Sequence, residues 1–336
     1  MEKDRKLAHI ELAFDSQTER VEQDKRFIYE PLLAAHPAVK LKSFPFLGKA
    51  MKAPIWVSSM TGGTGVAKTI NHNIARACQE FGLGMGLGSC RKLLFDKTHW
   101  DDFDVRDVLG DDQPFWANLG IAQVERLLKE KKENAIVDLV GQLRVDGVII
   151  HVNPLQEWFQ LEGDRIEKAP LDTIHELIKR IEFPIIVKEV GQGMGMESLT
   201  ELIQLPIAAI EFAAYGGTNF SKLEMLRNDS RKLELFHPFA YVGQTAEQMV
   251  RMVNQIINEV KEPACKELII SGGVKNYLDG YHLVSLSKLP AVFGMASSVL
   301  KMSTGDYHIL KEYLNDQIEA YRLAEAYLRL NPNYEE

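Results

Sequence analysis

The run His151-Val152-Asn153-Pro154-Leu155-Gln156-Glu157 places an imidazole, two carboxamides and a carboxylate within seven positions, directly after the apolar stretch Gly147-Val148-Ile149-Ile150. Side chains two residues apart on a strand point to the same face, so His151 and Asn153 are expected to face one way, and Pro154 turns the chain out of the sheet. Gln156 and Glu157 then follow in the loop just beyond. Such a loop offers an anionic substrate neutral hydrogen-bonding groups, a titratable ring and a metal-seeking carboxylate, with no covalent nucleophile. The same residues would also make an ordinary polar loop, so the decision rests on what else reaches that strand end.

The elements that must position this cluster recur along the chain. Eight short apolar, β-branched segments stand at 55–59, 83–89, 115–119, 148–152, 185–190, 208–214, 268–271 and 291–296, most of them followed by a helical pattern. Val66-Ile70-Ile74-Ala77-Cys78-Phe81 and Ile174-Leu177-Ile178-Ile181 have the spacing of helices with one buried face. This alternation predicts an α/β fold, a (β/α)8 or TIM barrel, with residues 1–336 forming a single domain. Residues 1–50 read as an N-terminal arm and 303–336 as a C-terminal helical tail that packs on the barrel or on a neighbouring subunit. Residues 228–243 read as an insertion.

In a barrel of this kind the loops after the strands build the active site. Nearly every one of them carries polar or glycine-rich chemistry. Gly272-Gly273 and Gly294 leave backbone N–H groups open to a phosphate, although paired glycines also make plain tight turns. Lys188 lies in an apolar strand where its charge requires an anionic partner; a flavin, negative near N1 and O2 when reduced, would supply one, with Asn118, Ser89 and Thr218 on its heteroatoms. A salt bridge to Glu189 or Glu211 is the competing account. Arg5-Lys6, with His9 three residues on, reads alone as solvated charge. Were the arm to fold over the barrel mouth, Arg5, Lys6, Arg91 and His151 could clamp a diphosphate, and Glu157 could hold Mg²⁺ against it.

Composition narrows the class. The chain has 336 residues, 46% hydrophobic and 26% charged, with 39 Lys and Arg against 47 Asp and Glu, a formal charge of -8. That balance argues against a general nucleic-acid surface and confines any basic site to a local pocket. No stretch approaches the roughly 20 apolar residues of a membrane span, and the N-terminus opens into no signal-peptide core, so a cytoplasmic protein is expected. Cys78, Cys90 and Cys265 are too scattered for a disulfide framework or a zinc site.

Taken in order, the motifs resemble the type 2 isopentenyl-diphosphate delta-isomerases, FMN-dependent barrels. The resemblance runs through Arg5-Lys6 with His9-Ile10, Met60-Thr61-Gly62-Gly63, Gly88-Ser89-Cys90-Arg91, Asn153-Pro154-Leu155-Gln156-Glu157 with Glu162-Gly163-Asp164, Val187-Lys188-Glu189-Val190-Gly191 and Gly216-Gly217-Thr218. It implies that Ser59, Met60, Thr61, Ser89, Asn118, Lys188 and Thr218 contact FMN, with Gly273, Val274, Lys275, Ala296 and Ser297 around its phosphate. Arg5, Lys6, His9, Arg91, His151, Asn153 and Gln156 would bind substrate, Glu157 would bind Mg²⁺, and Gln156 would act at the proton-transfer step. The implied reaction interconverts isopentenyl and dimethylallyl diphosphate with no net redox change, on FMN kept reduced, with NADPH as the expected reductant. A homo-oligomer, tetramer or octamer, is implied as well. Cys90, Phe220 and Lys275-Asn276-Tyr277 depart from the usual pattern and bear on substrate fit.

Two other readings stand beside this one. An FMN oxidoreductase of the α-hydroxy-acid oxidase type would need a His–Arg pair on the late rim, yet no His follows strand seven before His282. An inactive flavin- or phosphate-binding scaffold would have no physical reason to keep Gln156 and Glu157 beside His151.

Overall fold

The computed structural model describes residues 5–38, 42–59, 61–227 and 231–334. Eight parallel strands close into a barrel in sequence order: β1 (Ile55–Val57), β2 (Gly84–Gly86), β3 (Phe115–Gly120), β4 (Gly147–His151), β5 (Ile185–Lys188), β6 (Ala209–Glu211), β7 (Leu268–Ser271) and β8 (Ala291–Met295). All eight segments expected from the sequence are strands, and the fold is the expected TIM barrel. The register lines up chemistry at the C-terminal ends: Gly120 on β3 pairs with His151 on β4, His151 with Lys188 on β5, and Lys188 with Glu211 on β6.

The lower interior is an apolar layer of Trp56, Trp116, Ile149, Ile186, Ala209, Ile269 and Val292, sealed by Phe46, Leu47 and Met51. The two indoles fit because glycines face them. A Cβ on Gly84 would stand 2.4 Å from the Trp56 ring, and one on Gly147 would stand 2.5 Å from that of Trp116. Each buried indole removes roughly 200 Å² from water, worth on the order of 5 kcal/mol at about 25 cal/mol per Å².

Two boundaries are corrected. The sealing residues belong to an antiparallel hairpin, Phe44–Phe46 with Lys49–Met51, which closes the N-terminal end of the barrel. The arm boundary at residue 50 therefore cuts through a core element. The tail is helical over Tyr307–Tyr327, but Leu328–Leu330 is a strand paired antiparallel with Phe27–Tyr29. Its strand partner lies at the other end of the chain, so local periodicity could not reveal it. The tail packs on its own barrel through Leu310, Leu314, Ile318, Tyr321 and Ala324, and Tyr321 stacks on Phe293 with centroids 5.6 Å apart. Among the described residues no helix is long and apolar enough to cross a membrane.

Candidate active site

A cavity of about 440 Å³ opens at the C-terminal ends of the strands. Of the residues expected around a flavin, Ser59, Lys188, Thr218, Gly273, Val274, Lys275, Ala296 and Ser297 line it, joined by Glu211, Phe220, Ser298 and Lys301. Thr61 lines a small adjoining cavity with Ser58, Gly88 and Ala296. Met60 lies outside the described residues. Ser89 is exposed, and Asn118 is buried beside the cavity without lining it.

Asn118 is instead engaged by His151, whose Nδ1 stands 2.7 Å from the Asn118 Oδ1. Burial, reinforced by the Lys188 cation, depresses the His151 pKa to about 3, so the ring is neutral near pH 7, carrying its proton on Nδ1 toward Asn118 and leaving Nε2 as an acceptor. The opening motif thus splits, with His151 ending the strand and Asn153 to Glu157 entering the helix Pro154–Phe159, where proline suits the first position.

Within that helix turn Asn153 is the hub. Its Nδ2 donates to Gln156 Oε1 and to Glu157 Oε1, each at 3.1 Å, while its Oδ1 is buried without a partner. Glu157, itself buried, accepts a second bond from the Asp164 N–H at 2.7 Å. That close return requires Gly163, where a Cβ would stand 2.0 Å from the Glu157 carbonyl oxygen. Gln156 donates from Nε2 to Glu224 Oε1 at 3.4 Å, and Glu224 is paired with Arg227 at 2.6 Å. Glu224 and Asp164 are functional neighbours that the sequence reading did not single out. Their only signal was position, Asp164 inside the motif that follows Glu157 and Glu224 in the helix after Thr218.

Arg91, expected at the substrate, has a carboxylate beside it. It pairs with Asp164 at 2.9 Å, and Asp164 also accepts from Gln123 Nε2 at 3.0 Å, so Arg91 is tied to the His151–Glu157 cluster through a carboxylate. Arg5, Lys6 and His9 lie on the helix Arg5–Leu12, which has no buried residue. None of the three lines the cavity.

Lys188 is buried at the cavity floor and donates to the Glu189 carbonyl at 2.8 Å. A bridge to the Glu189 carboxylate is overturned: Oε2 of Glu189 accepts the N–H groups of Gly191, Gln192 and Gly193 at 2.6, 2.6 and 3.0 Å. Glu211, fully buried on the next strand, acts on Lys188 electrostatically, yet among the described residues no carboxylate lies within ion-pair distance of Lys188. Burial pushes the Glu211 carboxyl above the usual carboxylate range, opposed by Lys188.

At the opposite wall, Gly272 and Gly273 hold φ of 91° and 75°, and a Cβ on Gly272 would stand 2.2 Å from Ala214 backbone atoms. The helix that follows, Tyr277–Leu286, is capped by Asn276, which accepts from Leu278 and Asp279 N–H groups. Its first amides are thus used internally, so the expected phosphate contact falls to the glycine turn and the β8 loop. The donor set fits a flavin phosphate and ring system: an open glycine turn, Lys275 and Ser297 beside it, and, among the described residues, a buried Ser59 Oγ without a hydrogen-bond partner and a lysine without an ion-pair partner. No group of three or more metal-ligating side chains occurs among the described residues, so a metal here would take most of its ligands from elsewhere.

No family model matches the chain. The isopentenyl-diphosphate delta-isomerase of Rickettsia felis is 35% identical over 279 residues, 83% of this chain and 77% of that protein. That of Rickettsia akari is 31% identical over 327 residues, covering 95% and 91%. Among solved structures, the flavin-binding domain of baker's yeast flavocytochrome b2 superposes with a TM-score of 0.59 at 16% identity, covering 90% of this chain and 72% of that one. A mandelate oxidase with a monooxide FMN adduct gives 0.55 at 10% identity, covering 91% and 88%. Those two likenesses are of fold. The curated relatives match over most of their length and of this one, and the chain belongs to the isopentenyl-diphosphate delta-isomerase family.

Proposed function

We propose that the chain interconverts isopentenyl diphosphate and dimethylallyl diphosphate in the FMN-dependent, type 2 manner. The observation that carries this reading is a glycine-walled cavity lined by Lys188 at the C-terminal ends of the strands, together with a carboxamide–carboxylate network in the helix that directly follows β4.

When bound in its reduced form, FMN supplies the proton donor and acceptor of the double-bond shift. Lys188 stabilises negative charge on the flavin ring, and Gly272, Gly273, Lys275 and Ser297 hold its phosphate. Thr61, Ser59 and Thr218 bond its polar edge, with Ser89 at the outer rim and Asn118 acting through His151. Gln156, fixed at its oxygen by Asn153 and at its nitrogen by Glu224, orients the allylic end of the substrate at the proton-transfer step. His151 and Asn153 face the diphosphate side, His151 through Nε2 and Asn153 through Oδ1, which has no partner among the described residues. Glu157 would contribute one carboxylate to a Mg²⁺ bound with the diphosphate, an ion that favours one or two carboxylates with phosphate oxygens and water. Arg91 adds charge beside Asp164. Arg5, Lys6 and His9 complete the anion site when the arm closes over the mouth of its own or a neighbouring subunit in a homo-oligomer. NADPH is the proposed reductant.

The oxidase alternative needs a histidine on the rim after β7. His282 is buried 2.9 Å from Glu247 and does not line the cavity.

The test is to purify the protein with FMN, record its visible spectrum and assay isopentenyl diphosphate anaerobically with dithionite and Mg²⁺. Flavin absorbance and dimethylallyl diphosphate formation are expected. A protein that takes up no FMN, or a holoprotein that leaves the substrate unchanged, refutes the reading.

A further inference from the structure

Glu211 has no assigned part in the reaction outlined above, and its position is costly. It ends β6 with 0% exposure, where an ionisable carboxyl is stable only if something compensates it. Its hydrogen bonding is thin: Ser271 Oγ donates to Oε1 at 3.3 Å, and Oε2 has no partner within hydrogen-bond distance among the described residues, although the nearby Ser58 hydroxyl helps lower its proton affinity. A structural ion pair with its register neighbour Lys188 would be the economical solution, yet Lys188 donates to the Glu189 carbonyl instead. Both side chains line the same cavity. A buried cation and a buried carboxylate are therefore held on adjacent strands, coupled through a low dielectric, with their charge open toward whatever occupies the space above them.

We propose that Glu211 is a positioning residue that tunes the flavin: its carboxylate partly neutralises Lys188 and so limits how strongly the site favours the anionic reduced cofactor over the oxidised one. This rests on the FMN reading above. Two electrons from dithionite and one proton at N5 convert oxidised FMN to its anionic reduced form, whose charge lies near N1 and O2. Lys188 favours that charge and Glu211 opposes it. Lys275 and Lys301 also line the cavity and are common to every variant compared below. Ser58 and Ser271 are uncharged, His151 is held neutral by burial, and the Glu189 carboxylate is turned to the amides of residues 191–193. Burial raises the proton affinity of Glu211 and the Lys188 cation lowers it, so the two groups are coupled across the cavity they share.

The experiment uses the FMN-loaded protein and reads the two-electron midpoint potential against a reference dye. Glu211→Gln, close in shape but uncharged, is expected to favour reduced over oxidised FMN about tenfold more than the unsubstituted protein, an upward shift of about 30 mV. Glu211→Asp, which keeps the charge, is expected to stay close to the unsubstituted value. An unchanged or lowered potential in Glu211→Gln overturns the proposal while leaving the FMN reading intact. Failure of the unsubstituted protein to bind FMN overturns both. Should Glu211→Gln not fold, Ser271→Ala carries the test: loss of its bond to Oε1 raises the proton affinity of Glu211 and must move the potential upward, and no shift overturns the proposal.

Discussion

Replacing Asn153 by alanine should disable the reaction without removing the flavin. The side chain is 2% exposed and its Nδ2 makes two bonds at 3.1 Å, one to the neutral Gln156 oxygen and one to the Glu157 carboxylate. A neutral bond contributes about 1 kcal/mol and one to a charged group about 1.5–3 kcal/mol, so a loss of roughly 3 kcal/mol of stability is expected. Glu157 keeps its bond from Asp164, which limits the damage to that amount. Gln156, left with the 3.4 Å contact to Glu224, loses its fixed orientation, and a misplacement on the order of 1 Å costs up to about 100-fold in rate. Chemical denaturation measures the first effect and anaerobic turnover of isopentenyl diphosphate the second. FMN absorbance should be unchanged, because Asn153 does not line the cavity. Asn153→Asp should be worse on both counts, since it sets a second carboxylate against Glu157. Turnover retained within about threefold in Asn153→Ala, far below the loss expected from misplacement, or flavin lost in step with activity, would refute this reasoning.

Other expectations follow from the same geometry. Gln156→Ala should lower turnover by about 10²–10⁴-fold, the usual range for a lost proton-transfer group, with the flavin spectrum retained; near-parental turnover would remove Gln156 from its role. His151 should show no ring titration by NMR between about pH 5 and 8, given its pKa near 3 against an ordinary 6.5. Because its folded value is the lower one, the unfolded state binds more protons below pH 6.5, so its stabilising contribution holds above 6.5 and is lost as pH falls toward 3. Denaturation midpoints of parent and His151→Gln should therefore converge as the medium is acidified through that window. Gly272→Ala places a Cβ 2.2 Å from Ala214 backbone at φ 91° and should cost about 2–5 kcal/mol and weaken FMN uptake; normal stability would mean the turn can shift.

Much of the molecule was legible in the chain because its determinants are local. Apolar segments punctuated by Gly and Pro announced every barrel strand, and the rule that strand-end loops carry chemistry pointed to Lys188, Gly273 and the 151–157 run before any contact was known. Partner choice was not legible. Glu189 and Glu211 were equal candidates for Lys188 on paper, and only the backbone turn at residues 191–193 shows that the first is consumed by amides. Arg91 reads as a free anion ligand until Asp164 is seen beside it.

The sequence by itself determined the barrel, the ring of polar strand ends and the motifs that place the chain in its family, since each depends on residue type and on spacing within a few turns or strands. The tertiary structure alone decided that the hairpin at Phe44–Phe46 and Lys49–Met51 seals the barrel, that Leu328–Leu330 pairs with Phe27–Tyr29, and that Glu224 reaches Gln156. These contacts join residues distant in the chain, and their partners are selected by register, burial and charge after the barrel closes, which no local pattern encodes. The 151–157 run shows both sides. Its residue types announced a polar site, while the division of labour among them was set by Asn118, Asp164 and Glu224, all brought in from other elements.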